Sequence, residues 1–204
     1  MSSPPSQLRA LRDAIRAGER RAGGARDVRS RRLYNDALRG GGRRPLLVGL
    51  PAIHPRLWLS GLEAAEDALE RGSAARTVCV ASDRTCGYCA GRACEAVEAH
   101  DTEDATEAEV RAFAARGADA IERALGGAAG PVVVHCRQGR NRSVAAVVAF
   151  ATRRPEWTAE RAAAYVRAQS ERVRPGVRVL SNRLFRRALG LTSPARPLPP
   201  PAGS

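Results

Sequence analysis

The chain contains no lysine, so all 34 Lys/Arg-type cations are arginine. Aromatic residues make up only 4% of the sequence, which leaves a core to be built mainly from Val, Leu, Ile and Ala. No apolar run approaches the roughly 18 residues needed to cross a bilayer, because Arg, Gly or Pro interrupts each one, and no membrane span is expected. The five cysteines are odd in number. Together with the lack of an apolar leader, this argues against a disulfide-framed secreted domain and for a reducing compartment, cytoplasmic or nuclear. Histidine is limited to three positions, and neither His54 nor His100 has a metal-ligand partner at useful spacing, so no metal and no cofactor are expected.

What is present is a charge of +13 concentrated at the ends. Residues 1–45 carry 12 arginines against 4 acids, residues 46–152 carry 11 against 14, and residues 153–204 carry 11 against 3. Basic ends of this kind favour non-specific contacts with polyanions. The division follows composition: a basic N-terminal extension over 1–45, one catalytic domain over 46–192, and a Pro-rich disordered tail over 193–204. In the extension Leu8, Leu11 and Ile15 recur at helical spacing. That amphipathic helix is open to two readings, a solvated arm or a surface for homodimerisation or docking.

Within the central region Leu57-Trp58-Leu59 reads as a strand, Glu63 to Glu70 as a helix and Thr77 to Ala81 as the next strand. This order predicts an α/β fold with a parallel or mixed sheet flanked by helices. Pro131 to Val134 is a short β-branched run, and Val144 to Ala151 is an apolar helix. The segment joining them, HCRQGRNRS, therefore lies at a helix N-terminus, where unpaired N–H groups and the helix dipole favour an anion. Gly139 lets the loop curl so that several N–H groups point at one centre. Arg142, six positions after Cys136, can grip two phosphate oxygens at once. The same positive field favours the thiolate of Cys136, lowering its pKa from the free value of about 8.5.

His135-Cys136, five intervening residues and then Arg142-Ser143 resemble the signature of the cysteine-dependent protein tyrosine phosphatases, and among them the small dual-specificity phosphatases. The resemblance covers roughly Ile53 to Leu189, with HPRLWLSGLEAAED similar to the family's opening strand and helix. It implies a metal-independent protein phosphatase that hydrolyses phosphotyrosine and phosphoserine or phosphothreonine through a phosphocysteine at Cys136. Phosphate would be bound by Arg137, Gln138, Gly139, Arg140, Asn141 and Arg142, with a phosphorylated protein as partner. Ser143 would assist thiolate departure, and His135 would order the loop. The Ser/Pro leader and arginine distribution also resemble compact poxviral members, which would place the protein in a virion or infected-cell cytoplasm.

The family's general acid is an aspartate on a loop before the cysteine. Spacing favours Asp104, 32 residues before Cys136; the string AHDTEDA favours Asp101, 35 residues before it, and Asp101 is the choice made here. The competing reading for either is an acidic first helical turn comprising Asp101, Glu103, Asp104, Glu107 and Glu109. Cys86, Cys89 and Cys94 read as an irregular loop, since zinc would need a fourth ligand; a redox exchange with Cys136 is the functional alternative. The basic filling of the signature loop keeps two further substrates open, a phosphoinositide and an RNA 5′-phosphate. A silent phosphate-binding module is the reading from another class.

Overall fold

The computed structural model describes residues 46–81, 94–99 and 105–191. The chain separates after Pro45 into two units, and all described residues belong to the second. The proposed N-terminal helix, Cys86, Cys89, Asp101, Asp104 and the Pro-rich tail lie outside the described residues.

Five strands form one mixed sheet: β1 (Val48–Gly49), β2 (Leu57–Gly61), β3 (Arg76–Ala81), β4 (Cys94–Glu98) and β5 (Val132–Cys136), in the order β1-β2-β5-β3-β4. Only the β1–β2 pair is antiparallel. Among the described residues the helices are α1 (Leu62–Glu70), α2 (Glu107–Gly126), α3 (Arg142–Ala151), α4 (Ala159–Val173) and α5 (Arg183–Ala188).

β5 is the central strand, and each of its five residues is buried. Its side chains alternate as a pleated strand requires. Val133 packs with Ala65, Ala68 and Ala74 beneath α1, whereas Val132 and Val134 join the larger core shared with α2, α3 and α4. Nearly every residue of α3 is buried, which explains its unbroken apolar sequence. Small residues let α2 and α3 approach: a Cβ built on Gly117 would lie 2.5 Å from the Cβ of Ala146. The few aromatics are used at junctions, with Phe113 of α2 tilted against Phe185 of α5 at a ring separation of 5.6 Å.

Two shifts of element boundaries relative to the sequence reading bear on the site. β5 runs on to Cys136, and α3 starts at Arg142 rather than Val144, so both Arg142 and Ser143 sit in the first helical turn. The acidic first turn of α2 is smaller than expected. It holds Glu107 and Glu109, because Thr106 stops the helix with a capping box in which its hydroxyl accepts from Glu109 N at 3.2 Å and its N–H donates to Glu109 Oε2 at 2.6 Å.

Cys94 also departs from the reading of an irregular cysteine loop. It opens β4 opposite Thr77 of β3 and is disulfide-bonded, whereas Cys79 and Cys136 form no disulfide. Edge pairing to β3 overrides the low strand tendency of its surroundings.

Candidate active site

β5 delivers Cys136 to the carboxyl end of the central strand, where ligands of open α/β sheets bind. The chain then turns through residues 137–141 and enters α3 with Asn141 at the N-cap. Cys136 is 3% exposed, so its sulfur sits at the floor of the turn. The N–H of Gly139 and the hydroxyl of Ser143 each donate to Sγ at 3.3 Å. The backbones of Ser143 and Arg140 add to these in favouring the thiolate. Burial pushes the thiol pKa up. The Ser143 hydroxyl, the Ser143 N–H, the Arg142 charge and the Arg140 N–H together outweigh burial and hold Cys136 below the ordinary thiol range.

The inward N–H groups are explained by where the loop's carbonyls go. Arg137 O accepts from Leu62 N at 3.3 Å, Gly139 O from Arg174 Nη2 at 3.1 Å, Arg140 O from Leu180 N at 2.8 Å and Asn141 O from Ala145 N at 2.8 Å. With four carbonyls engaged by surrounding elements, the N–H groups are left to converge on the sulfur, which is the arrangement of an anion-binding nest. Gly139 makes the turn possible. Its φ is +66°, and a Cβ there would lie 2.4 Å from Ser60 O at the end of β2.

The remaining site residues proposed from sequence fall into separate groups. Arg142 is buried in the first turn of α3, and Ser143 is fully buried against the sulfur. Ser143 is not the N-cap; its hydroxyl is committed to Cys136. Arg137 and Gln138 are exposed on the loop. Arg140 is turned differently from the substrate-binding expectation: Nε donates to Arg178 O at 3.1 Å and Nη2 to Ser181 Oγ at 3.4 Å. Its guanidinium braces the loop against residues 178–181. Asn141 does likewise, its Oδ1 accepting from Asn182 N at 3.4 Å. His135 is 1% exposed, and its Nδ1 makes no hydrogen bond.

Two contributors escaped the sequence reading. Leu180, with φ of 51°, is a buried non-glycine residue in the left-handed region, and its N–H holds the Arg140 carbonyl. Arg174 reaches the Gly139 carbonyl from the end of α4. Nothing local distinguishes Arg174 among the 11 arginines of residues 153–204. The helix-ending Pro175-Gly176 beside it is the one available sign that it sits at an element terminus. Among the described residues no group of three His, Cys, Asp or Glu side chains is placed to hold a metal, and no helix is long and apolar enough to cross a membrane.

A central strand ending in a cysteine, a tight turn and a buried helix against a mixed sheet form the fold seen in solved dual-specificity phosphatases. Residues 88–182 match the model of the dual specificity phosphatase catalytic domain. The chain is similar in structure to human DUSP28, with 24% identity over 73% of this chain and 93% of that one and a TM-score of 0.54. It is also similar to the human tyrosine phosphatase-like serine/threonine/tyrosine-interacting protein, with 20% identity, coverage of 72% and 95%, and a TM-score of 0.53. OH1 of Orf virus, a tyrosine phosphatase described as having triple substrate specificity, matches at 20% identity, coverage of 74% and 90%, and a TM-score of 0.50. At these identities the solved structures speak to the fold alone. A search of curated protein sequences yields no significant match.

Proposed function

We propose that the protein is a dual-specificity protein phosphatase that removes phosphate from tyrosine and from serine or threonine through a phosphocysteine at Cys136. The observation that carries this reading is the sulfur itself: a buried thiol held below its ordinary pKa while ringed by the N–H groups of Gly139, Arg140 and Ser143. A thiol needing only burial would gain nothing from such a ring. A thiolate attacking phosphorus needs both activation and donors for the phosphoryl oxygens.

In the first step the thiolate attacks phosphorus. The S–P bond forms as the P–O bond to the side chain breaks, and the departing oxygen takes a proton from Asp101. Arg142 and the loop N–H groups bear the charge on the transferring phosphoryl oxygens. In the second step Asp101 accepts a proton from water, the new P–O bond forms, and the S–P bond breaks with its electron pair returning to sulfur. Ser143, already donating to Sγ, stabilises that leaving thiolate. Asp104 is the alternative acid. No step requires a metal or cofactor.

The test measures phosphate release, with EDTA present, from a phosphotyrosine peptide, a phosphothreonine peptide, a phosphoinositide and a 5′-triphosphorylated RNA. Wild type is compared with Cys136→Ser, Asp101→Ala and Asp104→Ala. Peptide turnover that vanishes in Cys136→Ser and drops steeply in Asp101→Ala is the expected result. A preference for lipid or RNA with both aspartates dispensable would replace the substrate assignment, and no turnover of any of the four would favour a phosphate-binding module.

A further inference from the structure

Arg174 caps α4, its backbone N–H donating to Ser170 O at 2.7 Å. Its Nη2 donates both to Ser170 Oγ at 2.9 Å and to Gly139 O at 3.1 Å. Ser170 is fully buried, so one anchor of this guanidinium is a core residue. Arg174 Nε is itself buried and makes no hydrogen bond. Among the described residues no carboxylate pairs with Arg174. Burial pulls its pKa below the usual arginine range, and the charge that works in the opposite direction is that of Cys136. A desolvated cation without a carboxylate is costly unless another anion answers it. Here that anion is the thiolate, and with substrate present it is the phosphoryl group as well.

The contact with Gly139 has a second consequence. The Gly139 carbonyl shares a peptide unit with the N–H of Arg140, which favours the thiolate of Cys136. A peptide is planar and rigid, so fixing its C=O end fixes the direction of its N–H end. A cation at the oxygen also polarises the group in the sense that strengthens donation from nitrogen.

We propose that Arg174 is a positioning residue for Cys136: it locks the Gly139–Arg140 peptide with its N–H on the sulfur and adds a buried positive charge, supplied by α4, to the thiolate site. The proposal rests on the reading of Cys136 as the nucleophile. The charged and titratable groups around the sulfur are Arg142 from α3 and Arg174 from α4, with His135 one residue back on β5 and Cys79 beside His135 on β3. Among the described residues no carboxylate acts on the thiol.

The test follows iodoacetamide alkylation of Cys136 against pH in the full chain, read by mass spectrometry of the peptide containing Cys136, which needs no substrate. In Arg174→Met the midpoint moves up by about 1 pH unit, the lower end of what loss of a nearby opposite charge produces. Arg174→Lys recovers part of that shift, because the charge returns without the planar fork. An Arg174→Met protein that alkylates with the wild-type midpoint overturns the proposal, whatever its turnover. Should circular dichroism show that Arg174→Met does not fold, Ser170→Ala decides. It removes one anchor of Nη2 and leaves the charge, so a smaller upward shift supports the proposal and an unmoved midpoint overturns it. A wild-type Cys136 that itself titrates near the free value of about 8.5 removes the nucleophile reading and the proposal with it.

Discussion

Replacing Gly139 with alanine separates the geometry of the phosphate loop from the stability of the domain. At φ +66°, a Cβ would lie 2.4 Å from Ser60 O, 2.5 Å from Ser60 C and 2.8 Å from Arg174 Nη1. Cβ contacts closer than 3.0 Å essentially do not occur, so the loop and the end of β2 must separate by about 0.6 Å. Two of the three atoms are backbone, which a rotamer change cannot move. The left-handed conformation adds about 1 kcal/mol for a residue with a side chain. A domain stable by about 5–15 kcal/mol tolerates a total of about 2 kcal/mol and stays folded. The site tolerates much less, because Gly139 N and Arg140 N must both remain aimed at the sulfur. Loss of one preorganised donor at an oxyanion site lowers kcat by about 10²–10³. The expected outcome for Gly139→Ala is therefore a folded protein with kcat on a phosphotyrosine peptide reduced by about two orders of magnitude and a raised Cys136 alkylation midpoint. A variant with kcat within about twofold of wild type and an unmoved midpoint would refute the claim that converging N–H groups make this site.

Ser143→Ala removes the side-chain donor at 3.3 Å from Sγ. The thiol pKa rises, and departure of sulfur slows more than its attack, so phosphoenzyme accumulates in rapid-quench experiments; equal slowing of both steps would count against a leaving-group role. The Cys136 pKa also predicts how stability changes with pH. Because the folded value is depressed, the thiolate's contribution is fully present above the unfolded pKa of about 8.5 and is lost as pH falls through the folded value. Denaturant unfolding of wild type relative to Cys136→Ser should accordingly show a stability difference growing with pH across that window, and a flat difference would contradict the depressed pKa. Leu180→Gly relieves a left-handed residue, worth about 1 kcal/mol, but gives up a buried leucine worth about 1.5–3 kcal/mol. The melting temperature should fall, and a rise would mean that strain outweighs packing at this position.

The reach of the sequence can be followed residue by residue. Val132 to Val134 and Val144 to Ala151 announced a buried strand and a buried helix because a central strand and a sandwiched helix are apolar on all sides. A turn between two such elements leaves few geometries, so the order of cysteine, glycine, arginine and serine already pointed to an anion-binding loop at the helix start. Spacing could not separate Asp101 from Asp104, because loop length before α2 is weakly constrained by local chemistry. Thr106 and Glu109 do carry the capping-box spacing that starts that helix at 107, a local signal that the sequence reading passed over.

Sequence by itself determined the local part around the site: the apolar strand that leads to Cys136, the apolar helix that follows, and the glycine-bearing basic segment that joins them. Only the tertiary structure decided that the guanidinium of Arg140 would brace residues 178–181, that Leu180 would accept a left-handed backbone to hold a loop carbonyl, and that Arg174 would grip Gly139. The physical reason is separation along the chain. Arg174 and Gly139 are 35 residues apart, joined through two helices whose packing places one beside the other. In a chain with 34 arginines, residue type carries no mark of which one that packing will choose.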